Sequence, residues 1–194
     1  MKLLFASRNK NKLAEIQLLL PASIHLVDLD QLGVGEELPE SSGTIKGNAI
    51  QKAVYAWEKS GIDCFADDSG LEVDVLGGKP GVDTAFFAGI PRNDARNMMF
   101  LLDQLEGVLD RKARFITVIA LVMSGDVHVF EGVVEGHISN SVRGVNGFGY
   151  DPVFIPDGYN QTFGELADSV KHSISHRSRA TGALLHYLRS NLVI

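Results

Sequence analysis

The stretch Phe65-Ala66-Asp67-Asp68-Ser69-Gly70-Leu71-Glu72-Val73-Asp74-Val75-Leu76 constrains this chain more than any other. An apolar entry runs into two adjacent carboxylates, then a Ser-Gly step read as a turn, then a second run of alternating Val and Leu. Successive residues of a strand point to opposite faces, so Asp67 and Asp68 are not equal partners of one ion. The pattern predicts that one faces an open site while the other orients backbone or neighbouring groups. Unpaired carboxylates beside apolar strand residues are costly to desolvate. A hard divalent cation such as Mg²⁺, which takes oxygen ligands and keeps several waters, removes that cost. A solvated Asp-Asp turn is the plainer alternative, and the rest of the chain decides between the two.

Leu3-Leu4-Phe5-Ala6 is a short continuous apolar run, the mark of a strand buried on both faces. Ser7-Arg8-Asn9-Lys10-Asn11-Lys12 follows, and then a helical pattern with Leu13, Ile16 and Leu20 on one face. The polar segment therefore lies at a strand-to-helix turn, where backbone N–H groups and the helix dipole favour an anion. Lys12 in the first turn is unfavourable there unless an anion is near, which points to phosphate; a solvated basic turn is the alternative. The Gly-x4-Gly-Lys-Ser/Thr spacing of a P-loop is absent. His25–Leu29 is expected as an edge strand, and 36–43 as an acidic, turn-rich loop. Asn48 is expected to cap a helix with a stripe of Ile50, Ala53, Val54 and Trp57, ended by Gly61.

Gly77-Gly78-Lys79-Pro80-Gly81 predicts a turn or loop. A helix from Asn93 or Asp94 would face Ala95, Met98, Met99, Leu102 and Leu105 inward. Arg114–Met123 and Val127–Glu135 predict a hairpin turning at Ser124-Gly125-Asp126, which breaks strict strand–helix alternation and calls for a mixed sheet. The segment 141–156 is dense in glycine, with Gly144, Gly147 and Gly149 around Asn146 and Phe148. Backbone there can approach a ligand closely, and Phe148 and Tyr150 offer rings for stacking on a base. Lys171-His172-Ser173-Ile174-Ser175-His176-Arg177 stands before a helix built on Ala180, Leu184, Tyr187 and Leu188, a second cluster of cations and hydroxyls at a helix start. His172 or His176 could act as a base, although hydrogen-bond donation is the better fit.

At 194 residues the chain has length for one domain with a substantial core. The net charge of −6 disfavours nonspecific nucleic-acid binding, yet local Lys and Arg clusters still suit a polyanionic small molecule. A single cysteine, Cys64, excludes an internal disulfide and fits a reducing compartment. No run approaches the ~20 apolar residues that span a bilayer. The N-terminal apolar run is short for a signal peptide and is read as a first strand. The expectation is a cytoplasmic protein with no membrane partner.

Taken together, Ser7-Arg8-Asn9-Lys10-Asn11-Lys12, Glu40 ahead of Asn48-Ala49, Ala66-Asp67-Asp68-Ser69-Gly70-Leu71, Gly147-Phe148-Gly149-Tyr150-Asp151-Pro152 and Lys171 with Ile174-Ser175-His176-Arg177 closely resemble the inosine triphosphate pyrophosphatase family, in family order and nearly end to end. The resemblance implies a single domain over 1–194, with an α/β fold whose elongated mixed β-sheet is flanked by helices. It implies two lobes with an active-site cleft between them, and a homodimer. The implied reaction cleaves ITP, dITP or XTP to the monophosphate and pyrophosphate with Mg²⁺. Asp68 would be the proton acceptor and a magnesium ligand, with Glu40 as the other acidic ligand. Ser7, Asn9 and Lys12 would hold the triphosphate, within a substrate-binding turn that includes Arg8, Lys10 and Asn11. Ser69 would touch substrate beside the catalytic carboxylate. Phe148 would stack on the base, Gly149, Tyr150 and Asp151 would shape its pocket, and Lys171, His176 and Arg177 would read the base edge, chiefly the 6-oxo group. Donors aimed at a purine O6 reject adenine, because its 6-amino group would leave a buried donor unpaired.

Three departures stand out. Gly47 replaces a frequent Glu, Thr84-Ala85-Phe86-Phe87 replaces a Ser-Ala-Arg-Tyr segment, and Glu40-Ser41-Ser42 replaces Glu-Thr-Gly. Two rivals remain at this level. One is a Maf-like pyrophosphatase for modified pyrimidine or methylated nucleotides; the other is a nucleotide-binding module without turnover, which would not need two separated acidic ligands.

Overall fold

The computed structural model describes residues 1–27, 29 and 37–191. Asp28, in the anticipated edge strand, and Glu36, in the anticipated acidic loop, lie outside the described residues. Strands β1 (Lys2–Phe5), β2 (His25–Val27), β3 (Cys64–Val73), β4 (Lys112–Met123), β5 (Asp126–Ile138) and β6 (Phe154–Pro156) form one sheet in the order β2-β1-β3-β4-β5-β6. Five helices accompany them: α1 (Lys10–Leu19), α2 (Ile45–Ser60), α3 (Asp94–Gln104), α4 (Asp168–Ile174) and α5 (His176–Asn191). β1 runs parallel to β2 and β3, whereas β5 and β6 are antiparallel, so the sheet is mixed as the hairpin pattern predicts. Among the described residues no helix is long and apolar enough to cross a membrane.

The chain forms two compact units. The first comprises residues 1–68, Thr117–Gly132 and the chain from His176; the second comprises Ser69–Ile116 and Val133–Ser175. Each has its own apolar core. In the first, Leu3, Phe5, Ile16, Phe65, Ile119 and Leu184 pack together, with the Phe5 and Phe65 rings stacked at 4.8 Å. In the second, Leu71, Leu101, Phe115, Tyr150, Phe154 and Phe163 do so.

Several expectations change in detail. Ser69-Gly70 is not a turn: β3 runs unbroken from Cys64 to Val73. Gly70 is buried inside that strand. The turn comes at Gly77-Gly78, with φ of 64° and 84°, values that favour glycine. The β4–β5 hairpin closes through two residues, Ser124 and Gly125, both at positive φ (51° and 91°), the form that matches strand twist. The anticipated stripe of α2 is rotated: Ala49, Lys52, Ala53 and Ala56 are buried, while Ile50, Val54 and Trp57 are half-buried. The cap of α2 is Thr44, whose hydroxyl accepts from the Gly47 amide, and Asn48 sits buried inside the first turn. In α3 the buried residues are Asn97 and Leu101, and Ala95 and Met99 are exposed. Lys171 and His172 belong to α4 instead of preceding a helix, and α5 starts at His176.

At Gly132 of β5, the backbone of α5 packs close against the strand. A Cβ there would stand 2.1 Å from the His176 carbonyl oxygen and 2.4 Å from the Ala180 amide nitrogen, both backbone atoms that cannot swing aside. Gly132→Ala is therefore expected to lower the unfolding free energy by about 3 kcal/mol, read from the midpoint of a urea transition. An unchanged midpoint would mean that α5 is not seated as described.

Candidate active site

Alternation along β3 builds the site in the first unit. Cys64 and Asp68 face α2: the Cys64 thiol donates to the Ala53 carbonyl at 3.2 Å, and Asp68 Oδ1 accepts from Lys52 Nζ at 3.1 Å. Phe65 and Asp67 face the opposite layer, where Phe65 joins the core cluster that includes residues of α1 and α5. There Asp67 Oδ2 receives Lys12 Nζ at 3.1 Å and Arg177 Nε at 3.2 Å. The two adjacent carboxylates thus serve different groups, as a period of two requires.

Asp67 is the buried member, with a side chain fully removed from solvent. Burial alone pushes its carboxyl up, but Lys12, Arg177 and Lys52 outweigh burial and hold it well below the usual carboxylate range. Arg177 is 2% exposed and also donates Nη1 to Glu15, a buried residue of α1. Burial works against the Arg177 charge, yet Asp67 and Glu15 raise its pKa overall. Lys12 is pushed below its ordinary value by burial, with Asp67 opposing and Lys52 and Arg177 adding to the fall.

Asp68 differs. Its side chain is 12% exposed, and burial pushes its carboxyl up, opposed by Lys52 and Lys12 and reinforced by Glu40. Lys52 Nζ stands between two carboxylates, 2.5 Å from Glu40 Oε1 and 3.1 Å from Asp68 Oδ1. Burial works against the Lys52 charge, but Asp68, Asp67 and Glu40 raise its pKa on balance. Glu40 is half exposed, so the cluster opens to solvent on that side. Among the described residues, three cations (Lys12, Lys52, Arg177) meet four carboxylates (Glu15, Glu40, Asp67, Asp68). A phosphate chain brought here would face surplus negative charge unless another cation came with it.

The turn after β1 is ordered by its own side chains. Asn9 caps α1, its Oδ1 accepting from the amides of Asn11 and Lys12 at 3.0 and 3.3 Å, and Ser7 Oγ accepts from the Asn9 amide at 3.3 Å. The Asn9 cap thus already occupies two of the amides at the start of α1. Arg8, Lys10 and Asn11 are exposed, and His176 is buried at the start of α5.

The second unit carries Ser69, Phe148, Gly149, Tyr150, Asp151 and Lys171. Asp151 Oδ2 accepts from the Phe148 amide and from Lys171 Nζ, each at 2.7 Å, and both charged side chains are 3% exposed. Lys171 Nζ also lies 5.1 Å from the centre of the half-buried Phe148 ring. A Cβ at Gly147 would fall 2.1 Å from Asp151 Oδ2, so the glycine gives that carboxylate its place. The Gly149 amide donates to Asp94 Oδ2 at 3.1 Å. Tyr150 corrects one expectation: its ring is 2% exposed within the core and its hydroxyl donates to the Thr84 carbonyl at 3.0 Å, so it is not available for stacking.

Glu15, Lys52 and Asp94 were missed by the sequence reading. For the first two a signal existed. Lys12, Glu15, Ile16 and Leu19 share one stripe of α1, and Lys52 stands on an Ala49–Ala53–Ala56 stripe of α2, charges where apolar residues are expected. Two of the departures prove to be one. A Cβ on Gly47 would lie 2.3 Å from Ser42 Oγ, so Ser42 fills the space beside Gly47, where it bonds with Asn48 Oδ1 at 2.9 Å.

The profile of the Ham1 family matches residues 3–187. A dITP/XTP pyrophosphatase of Flavobacterium psychrophilum is 49% identical over 190 residues, covering 98% of this chain and all of that protein. One of Porphyromonas gingivalis is 46% identical over 188 residues, 96% and 97% of the two chains. Among solved structures, the Staphylococcus aureus Ham1 protein superposes with a TM-score of 0.90 at 34% identity, covering 98% of this chain and 99% of that one. A nucleoside-triphosphatase, or dITP/XTP pyrophosphatase, of Mycobacterium abscessus gives 0.80 at 43% identity, with 95% and 99% covered.

Arg177→Met would leave Asp67 and Glu15 buried without their shared cation, and is expected to destabilise by about 3–5 kcal/mol at neutral pH. Because the folded Asp67 carboxyl is depressed, its contribution is present above the ordinary value of about 3.9 and fades as the pH falls below it. The gap between wild type and variant in denaturant titrations should therefore narrow below about pH 4. A gap that stays constant, or widens, from pH 7 to pH 3 would contradict the pairing.

Proposed function

This chain belongs to the Ham1 family, and from that premise we propose that it hydrolyses deaminated purine nucleoside triphosphates (ITP, dITP and XTP) to the monophosphate and pyrophosphate. The observation that carries the chemistry is the convergence of Glu40 and Asp68 on one cationic position in the first unit. Two carboxylates of this kind, one half exposed, suit Mg²⁺, which is commonly held by one or two carboxylates with substrate phosphates and water completing its shell. The surplus of carboxylate over cation in the cluster fits such an ion as well. Glu40 and Asp68 would hold the Mg²⁺, which when bound supplies charge neutralisation to the phosphate oxygens.

The protein's own groups divide the remaining work. Asp68, on the partly exposed side of the cluster, accepts the proton of the attacking water as a positioned general base. Asp67, held ionised by Lys12 and Arg177, is the wrong group for that task and fixes those two cations instead. Lys12 offsets charge on the triphosphate. Ser7 and Asn9 shape the turn that presents it. In the second unit, the Phe148 ring provides a stacking surface and Lys171 a donor suited to a purine 6-oxo group. Asp151 fixes both through one oxygen. Arg177 acts here through Asp67 and Glu15, with His176 buried beside it in sequence. The Maf-like reading is not favoured: the similar proteins are named for dITP and XTP.

We place the homodimer contact on the second unit. Phe86 (49% exposed), Ile90 (86%) and Met99 (53%) present large apolar side chains, and Phe87 packs edge-on against Phe100 at 5.0 Å. The Thr84–Phe87 departure thus puts an aromatic where the family pattern has a cation. The single buried Cys64, its thiol pushed up to about 12 by burial, is inert and suits a reducing cytoplasm.

Pyrophosphate release from a panel of ITP, dITP, XTP, GTP, ATP and dUTP tests the substrate class. The first three should turn over at least about a hundredfold faster by kcat/KM than ATP, whose 6-amino group mismatches the donors. Equal turnover of ATP, or preference for dUTP, would contradict the reading. Asp68→Asn should leave the fold intact and lower kcat by about a hundredfold or more; near-normal turnover in the purified variant would remove Asp68 from the mechanism.

A further inference from the structure

The position where Glu40 and Asp68 meet is filled by a side chain. Lys52 extends from the inward stripe of α2, is 4% exposed, and places its ammonium within hydrogen-bonding distance of both carboxylates at once. A lysine so deeply buried needs anionic partners, and here Glu40 and Asp68, the groups suited to the metal, serve as such. An ammonium and a divalent ion repel each other at contact distance. Both cannot be held by the same two oxygens.

Resting on the proposed use of Glu40 and Asp68 as metal ligands, we propose that Lys52 is the resident counter-ion of the nucleotide-free site, and that a divalent ion is held there only after Lys52 leaves. The triphosphate supplies what the exchange needs. It brings the metal, and its oxygens offer the Lys52 ammonium a new anionic partner. Lys52 thus has two positions, one neutralising the carboxylates of the empty site and one on the phosphate chain. The free protein consequently takes up divalent ions weakly, and loading is tied to the presence of substrate. The half-exposed Glu40 is the side from which the exchange proceeds, because its carboxylate can turn toward solvent while Asp68 stays fixed in β3. The α2 backbone need not move for this: lysine has four rotatable side-chain bonds and its ammonium is a point charge with no required plane.

The test is Mn²⁺ binding to the nucleotide-free protein, followed by the loss of the free Mn²⁺ resonance, in wild type, Lys52→Met, Glu40→Gln and the double variant. Lys52→Met should bind Mn²⁺ about tenfold or more tighter than wild type, because a competing cation at contact range is gone. The gain should vanish in the double variant. Equal or weaker binding by Lys52→Met, with Glu40→Gln still weakening both backgrounds, would overturn the competition while leaving the two carboxylates as the metal site. A gain that survives Glu40→Gln would overturn both the competition and the assignment of those ligands. Lys52→Gln and the Mn²⁺-induced rise in melting temperature provide a second reading should Lys52→Met fold poorly. A larger rise than in wild type supports the exchange, and an equal one contradicts it.

Discussion

The carboxylate of Asp67 is the point on which the first unit depends. It is buried in a central strand, and a charge so placed survives only with partners at contact distance. Lys12 from α1 and Arg177 from α5 supply them, and Glu15 on α1 closes the loop through Arg177. One electrostatic requirement thereby fixes two helices against one strand and determines where their first turns stand. The price of this arrangement is dependence: Arg177 has no neutral substitute that keeps both carboxylates compensated.

Strand alternation then gives the two aspartates different surroundings. Asp67 points into the dry layer and stays ionised. Asp68, one residue on, points to α2, keeps partial contact with solvent, and has a carboxyl raised by burial. Two identical side chains in sequence acquire opposite properties because a strand has two faces. The same division recurs in the second unit, where Asp151 spends one oxygen on fixing Phe148 and Lys171, and the ring of Phe148 keeps partial exposure.

Much of this was legible beforehand, for identifiable reasons. The continuous apolar run of β1, the hairpin of β4 and β5, and the Gly61 cap of α2 follow from local rules, and each formed. The unequal roles of Asp67 and Asp68 followed from period two alone. Less legible were features set by partners distant in sequence. The inward face of α2 includes Lys52, a polar residue by sequence that only the remote carboxylates of Glu40 and Asp68 make an interior one. Ser69-Gly70 carries a local turn signal because glycine permits one, and the continuous strand β3 overrides it. Tyr150 looked like a stacking ring, and its hydroxyl partner, the Thr84 carbonyl, lies 66 residues away.

The opposed ionisation of the two neighbouring aspartates is the most direct consequence of this architecture. Carboxyl carbon resonances of Asp67 and Asp68, followed by NMR from pH 8 to pH 3 in the nucleotide-free protein, read it site by site. Asp67 should remain ionised to the acid limit, while Asp68 should titrate above the ordinary aspartate value of about 3.9. Titration of Asp67 at or above that value, or of Asp68 below it, would contradict the account.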